Sequence, residues 1–183
     1  LKEEFGIKPI NMQLIKSNKY LIRKDKLKKT LVNNWKWENG ETYYCKMDIF
    51  DNIGDLGKHK NLLQEDSVFK ECLKIRLYDG LFCSSDNILR NILVNSNNEL
   101  LSIDEGDIYG KRKEIFNKKD WFLKSENKYK AREYSKQILN DWDIESKIDI
   151  VKEALIKYGF SDKVETMKKR FSNYKTIVDS EFE

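Results

Sequence analysis

Apolar and polar positions alternate or cluster along this chain in two distinct ways. In the first fifty residues the apolar positions come as short β-like runs. Ile10-Asn11-Met12-Gln13-Leu14-Ile15 alternates loosely, as a strand with one buried face does. Tyr20-Leu21-Ile22 predicts a second strand, and Leu27 to Trp35 fits either a short helix or a strand pair. Asn39-Gly40 is a hairpin-turn dipeptide, because both residues tolerate positive φ. It separates Val32–Trp37 from Thr42–Phe50, a run rich in aromatic and β-favouring residues that predicts a strand. Asp51 to Gly57 reads as a connection.

Beyond this point the period lengthens. Asp66-Ser67 offers an N-cap for a helix over 68–81, with Phe69, Cys72, Leu73 and Arg76-Leu77 on or near one face. Ile92–Val94 and Leu100–Ile103 are short strands joined by the polar turn Asn95-Ser96-Asn97-Asn98, which predicts a small hairpin. From Glu114 onward the pattern is helical. Trp121-Phe122, Tyr134, Ile138-Leu139 and Trp142 mark one helix or two. Ser146 to Tyr158 marks another that stops at Gly159, and 161–178 a last one. Strands first and helices afterwards give the class α+β, with a strand-rich part over 1–50 and a mostly helical part over 51–183.

Composition narrows the chemistry. The 183 residues can bury a real core. A net charge of +4 on 35 basic and 31 acidic residues attracts anions weakly and does not argue for nucleic-acid binding. The Lys-rich stretches from Arg23 to Lys29 and from Gly110 to Lys113 read as solvated faces. Trp35, Trp37, Trp121 and Trp142 read as core anchors. Cys45, Cys72 and Cys83 are far apart in sequence and His59 is the one histidine, which disfavours a zinc site and fits a reducing, cytoplasmic setting. No apolar run reaches the ~18 residues of a membrane span.

The informative stretch is Ser84-Ser85-Asp86-Asn87-Ile88-Leu89-Arg90-Asn91, then Ile103-Asp104-Glu105-Gly106-Asp107, with the hairpin between them. Asp86 and Asn91 are five apart; Asn91 and Asp104 are thirteen apart. Phosphoryl transfer gives this layout a purpose. Mg²⁺ takes hard oxygen ligands, and a hairpin can bring an amide oxygen and a carboxylate from its two open ends to the same ions. A carboxylate just ahead in the loop can orient an acceptor hydroxyl and take its proton. Arg90 fits two roles equally, reaching a phosphate or pairing with a neighbouring acid.

Asp86-x4-Asn91 resembles the catalytic loop of the protein-kinase-like superfamily, and Asp104-Glu105-Gly106 resembles its D-F-G element. Cys45–Phe50 and Gly54-Asp55-Leu56 resemble its hinge. The resemblance spans roughly residues 41–110 and implies a kinase-like fold, with a reduced N-lobe and hinge strand over 1–50. The helical C-lobe over 51–183 would carry the catalytic hairpin 84–107. It implies ATP and Mg²⁺ as cofactors, Asp86 as the catalytic aspartate, and Asn91 and Asp104 as metal ligands. Lys16 would stand for the strand lysine, and Met47, Asp48 and Ile49 would meet the adenine.

The departures point to the atypical branch, whose members act on lipids, small molecules or proteins. Ser84-Ser85 replaces His-Arg, Ile88 replaces the usual Lys, Glu105 replaces Phe, and neither an A-P-E element nor a Gly-rich loop is present. The chain opens on Leu1. Three alternatives follow for the N-lobe: it is cut down, it lies upstream or on a partner chain, or it is lost. With the last, the chain would be a pseudokinase-like binding module. The phosphate acceptor is not identified.

Overall fold

The computed structural model describes residues 1–10, 12–17, 35–36, 42–47, 50–84, 88–103, 109, 114–116 and 120–183, with 12–17, 35–36 and 42–47 described by backbone and pairing alone. The class is α+β. The chain divides into two compact units, residues 10–50 and residues 1–9 together with 51–183.

The smaller unit is an antiparallel sheet of β1 (Met12–Ser17), β2 (Trp35–Lys36) and β3 (Thr42–Met47), in the order β1-β3-β2. β1 lies against β3 from Met12↔Met47 to Ser17↔Thr42. Trp35↔Tyr43 and Lys36↔Thr42 join β2 to β3. The alternation that predicts a strand near 10–15 and the aromatic run after residue 41 thus both end in strands. The readings at Tyr20–Ile22, Leu27–Asn34 and Asn39-Gly40 lie outside the described residues.

The larger unit is built around α1 (Asp66–Leu81). Eleven of its sixteen residues are buried, and the five that are not, Asp66, Ser67, Lys70, Glu71 and Lys74, form one polar stripe at helical spacing along its N-terminal half. Its start corrects the sequence reading. Asp66 is the first helical residue, not a cap, and Glu65 holds the cap position without a side-chain hydrogen bond. The Asp66 carboxylate instead accepts from Tyr134 Oη and pairs with Lys130 at 2.6 Å, tying the helix start to α2 (Ser125–Trp142).

The remaining helices bury stripes at helical spacing. Ala131, Ser135, Ile138, Leu139 and Trp142 do so on α2. On α4 (Val164–Glu181) the stripe is Val164, Met167, Phe171, Tyr174 and Val178. Between them α3 (Ile148–Lys157) buries Val151 and Leu155, and the chain turns at Gly159, whose φ of +83° suits a residue without Cβ.

Phe5 is the N-terminal plug of this core. Its ring packs edge-on against Tyr78, Phe82 and Trp142 at 5.4, 6.0 and 5.1 Å, and Trp142 Nε1 donates to its carbonyl at 2.9 Å. Burying a Phe of this kind contributes about 1.5–3 kcal/mol. Trp142 is the core anchor expected of it; Trp121 is only half-buried.

A second antiparallel sheet lies beside α1, in the order β4 (Gly54–Asp55), β5 (Ile92–Val94) and β6 (Leu100–Ser102). The predicted hairpin is present, with Ile92↔Ser102, Leu93↔Leu101 and Val94↔Leu100 in register. Gly54–Asp55, read from sequence as connection and hinge, instead pairs with β5. Ile53 and Leu56 add backbone bonds to Val94 and Ile92 at 2.9 and 2.8 Å. The φ of +141° at Gly54 makes that approach possible.

Candidate functional site

α1 delivers the chain to the loop that carries the sequence signature. Its C-terminal end is pinned from α4: Tyr174 Oη donates to the Leu77 carbonyl, and Arg170 donates to the Gly80 carbonyl at 2.7 and 3.1 Å. Burial pushes the Tyr174 phenol well above its usual pKa, so it stays a donor. The helix then unwinds through Phe82 and Cys83, the latter at φ +52°, and Ser84 N–H bonds back to the Asp79 carbonyl at 2.8 Å. Asp86, between Ser85 and Asn87, lies outside the described residues.

The loop resumes at Ile88 and makes a single tight turn over Leu89–Asn91, closed by Asn91 N–H to the Ile88 carbonyl at 2.9 Å. Asn91 is half-buried and leads directly into β5. Asn95 shapes the far end of the hairpin: its Oδ1 accepts from the Asn97 and Glu99 N–H groups, each at 2.9 Å, and Asn98 takes a left-handed φ of +62°. The chain returns through β6. Beyond the last paired residue, Ile103 N–H donates to the Asn91 carbonyl at 2.7 Å. Asn91 and Ile103 therefore face one another at the open end of the hairpin. Asp104, next in sequence, lies outside the described residues, as do Glu105, Gly106 and Asp107. Tyr109 follows, its N–H on the Phe82 carbonyl at 2.6 Å and its phenol raised in pKa by burial.

Of the sequence-derived candidates, Asn91 is thus placed at the mouth of the hairpin. Lys16 and Met47 belong to the smaller unit, in β1 and β3. Asp48 and Ile49 lie outside the described residues. Asn91 and Asp104 bear an amide oxygen and a carboxylate, a donor set suited to Mg²⁺. Among the described residues no group of three or more His, Cys, Asp or Glu side chains gathers at a metal-binding distance, and no helix is long and apolar enough to cross a membrane.

Beside the loop the structure opens a cleft of about 460 Å³ that sequence reasoning missed. Its lining comes from four separated segments: 55–60, Arg76 on α1, the loop at 88–90, and 120–124. Arg76 and Asp120 form the deepest element. They are 1% and 9% exposed and joined through Nη2 and Oδ2. Asp120 also caps the short turn Trp121–Leu123, accepting from Phe122 N–H at 3.4 Å. At the rim Asp55 pairs with Lys58 at 3.3 Å. Partial burial works to raise the Asp55 pKa, but the Lys58 hydrogen bond and charge outweigh it and hold the carboxyl below its usual range. Each carboxylate of the lining is thereby matched to one cation, and Lys60, Arg90 and Lys124 remain over.

No family model, curated protein or solved structure matches the chain.

Proposed function

We propose that this chain is an ATP- and Mg²⁺-dependent phosphotransferase of atypical kinase type, acting on a hydroxyl acceptor. One observation carries the reading. The Ile103–Asn91 backbone bond at 2.7 Å closes the open end of the β5–β6 hairpin, so the residue before Asp104 is fixed beside Asn91. Asn91 and Ile103, twelve residues apart in sequence, thereby become neighbours in space. The order of elements adds support: a buried helix, a loop, a short hairpin and then helices, as the kinase-like resemblance requires.

In this reading Asn91 and Asp104 hold Mg²⁺, which when bound offsets the charge of the nucleotide phosphates. Asp86, five residues before Asn91, orients the acceptor hydroxyl and accepts its proton. α1 supplies rigidity. Its end is fixed by Arg170 and Tyr174, so the loop springs from a point that does not drift.

Calorimetry with Mg-ATP tests the assignment. Asp104→Ala should abolish binding; unchanged binding would remove Asp104 from the site. Asp86→Ala should bind Mg-ATP as the parent does and transfer nothing; surviving transfer would remove Asp86 from its role.

A second reading is a pseudokinase-like binding module. It is favoured by Ser84, a buried residue bonded to the helix end, standing in the Ser84-Ser85 pair where the superfamily has His-Arg. Millimolar Mg-ATP that leaves the melting temperature unmoved would favour it.

A further inference from the structure

We propose that Lys60, Arg90 and Lys124 form a binding site for the phosphate monoester of a small hydroxyl-bearing molecule. They rim the cleft beside the Leu89–Asn91 turn.

The charge count points to an anion. Five cations and two carboxylates line the cleft, and the carboxylates are engaged by Lys58 and Arg76. Lys60, Arg90 and Lys124 make no ion pair among the described residues, and all three are exposed. Lys124 sits 4.4 Å from the centre of the Trp121 ring, which holds its ammonium at the cleft wall. Arg90 is held by a close approach: a Cβ on Gly57 would come within 3.1 Å of Arg90 Cγ and 2.9 Å of Asp55 Oδ1. A side chain at Gly57 would crowd Arg90, so the glycine lets the 55–60 segment lie close against it.

A second observation is independent of charge. Trp121 Nε1 is buried and has no hydrogen-bond partner among the described residues, although Trp121 lines the cleft. A buried N–H without an acceptor is costly, and an anion's oxygen would satisfy it.

Size and lining select the class of ligand. About 460 Å³ suits a small molecule, whereas a nucleic-acid backbone needs a longer basic track. Ile88 and Leu89 give the wall an apolar side for a carbon skeleton. A guanidinium and two ammonium groups match a phosphate dianion better than a single carboxylate.

The role of this ligand as phosphate acceptor rests on the phosphotransfer reading, in which Asp86, three and four residues before Leu89 and Arg90 in sequence, orients the acceptor hydroxyl. The binding site itself stands without that reading.

The test is calorimetry of the full chain with glycerol 3-phosphate at low ionic strength, with glycerol and sodium chloride as controls. A parallel arm uses phosphatidylcholine vesicles with and without phosphatidylinositol 4-phosphate. Saturable binding of the ester is expected, at least tenfold weaker in Arg90→Ala and in the Lys60→Ala/Lys124→Ala double variant. All three side chains are exposed, so the melting temperature should be unchanged. Binding only to the phosphoinositide vesicles, lost in the same variants, would support the site and make its source a lipid headgroup.

Binding to neither, or binding that the variants leave intact, overturns the proposal. Displacement of the ester by Mg-ATP would overturn the acceptor role and make this the nucleotide's own phosphate site. Ester binding without Mg-ATP binding would retain the site and sink the phosphotransfer reading; the converse result would do the reverse.

Discussion

Replacing Asp120 by Asn should destabilise the larger unit by about 3–5 kcal/mol, the usual cost of removing one partner of a buried ion pair. The replacement keeps the shape and removes the charge. Arg76 is 1% exposed, so its guanidinium loses its carboxylate at the floor of the cleft, where little water reaches it. The Asn amide oxygen can still accept from Phe122 N–H, so the short turn at Trp121–Leu123 should survive and the loss should be electrostatic. For a chain of this size about 2–4 °C is lost per kcal/mol, which puts the fall in melting temperature at about 6–20 °C.

Chemical denaturation and thermal melting both read this. The double variant Arg76→Met/Asp120→Asn should recover part of the loss, because it removes the unmatched guanidinium and keeps the acceptor for Phe122 N–H. A fall below about 0.5 kcal/mol for Asp120→Asn, the range of ordinary surface substitutions, would refute the assignment of this pair as the buried tie between α1 and the 120–124 segment.

Three further outcomes are expected. Gly80→Ala sets helix propensity against space. Ala is favoured over Gly in a helix by about 1 kcal/mol, but its Cβ would meet Ile115 Cγ1 and Tyr174 Oη at 2.8 Å. A net loss of about 1–2 kcal/mol is expected from such overpacking, and a gain in stability on denaturation would contradict the packing. Trp142→Phe removes the indole bond to the Phe5 carbonyl and leaves a gap, which should cost about 2 kcal/mol; an unchanged denaturation midpoint would detach Phe5 from the core.

The acid limb follows from Glu99. Asn95, and then Lys8, hydrogen-bond its carboxylate and hold it below its usual value of 4.5. A depressed folded-state pKa stabilises above the unfolded value and fades as pH falls through the folded one. The melting-temperature gap between the parent and Glu99→Gln should be full at pH 7 and close below pH 4.5. A gap that persists at pH 2.5 would count against it.

Much of the fold is legible in the sequence because its signals are local. The apolar density of Val68–Leu81 marks a helix, and four consecutive turn-forming residues at Asn95–Asn98 leave little choice but a hairpin. Asn91 is legible for the same reason, since the hairpin's length fixes what stands at its mouth. What escaped depends on long-range contact. Asp66 looks like a cap until Lys130 and Tyr134 engage its carboxylate from α2. Gly54–Asp55 is too short to read as a strand until β5 offers its edge. The pair Arg76–Asp120 spans 44 residues and leaves no periodic trace. The cationic rim is gathered from three segments, each resembling an ordinary solvated stretch.

On the phosphotransfer proposal, the mouth of the β5–β6 hairpin holds the metal of a bound nucleotide. Paramagnetic NMR with Mn²⁺-ATP in place of Mg²⁺-ATP tests it most directly, because Mn²⁺ broadens only nearby nuclei. The side-chain amide of Asn91 and the backbone amide of Ile103 should vanish at substoichiometric metal, while amides of α4 such as Val178 stay sharp. Resonances of Asn91 and Ile103 that remain sharp at saturation, or broadening centred elsewhere in the chain, would contradict the claim.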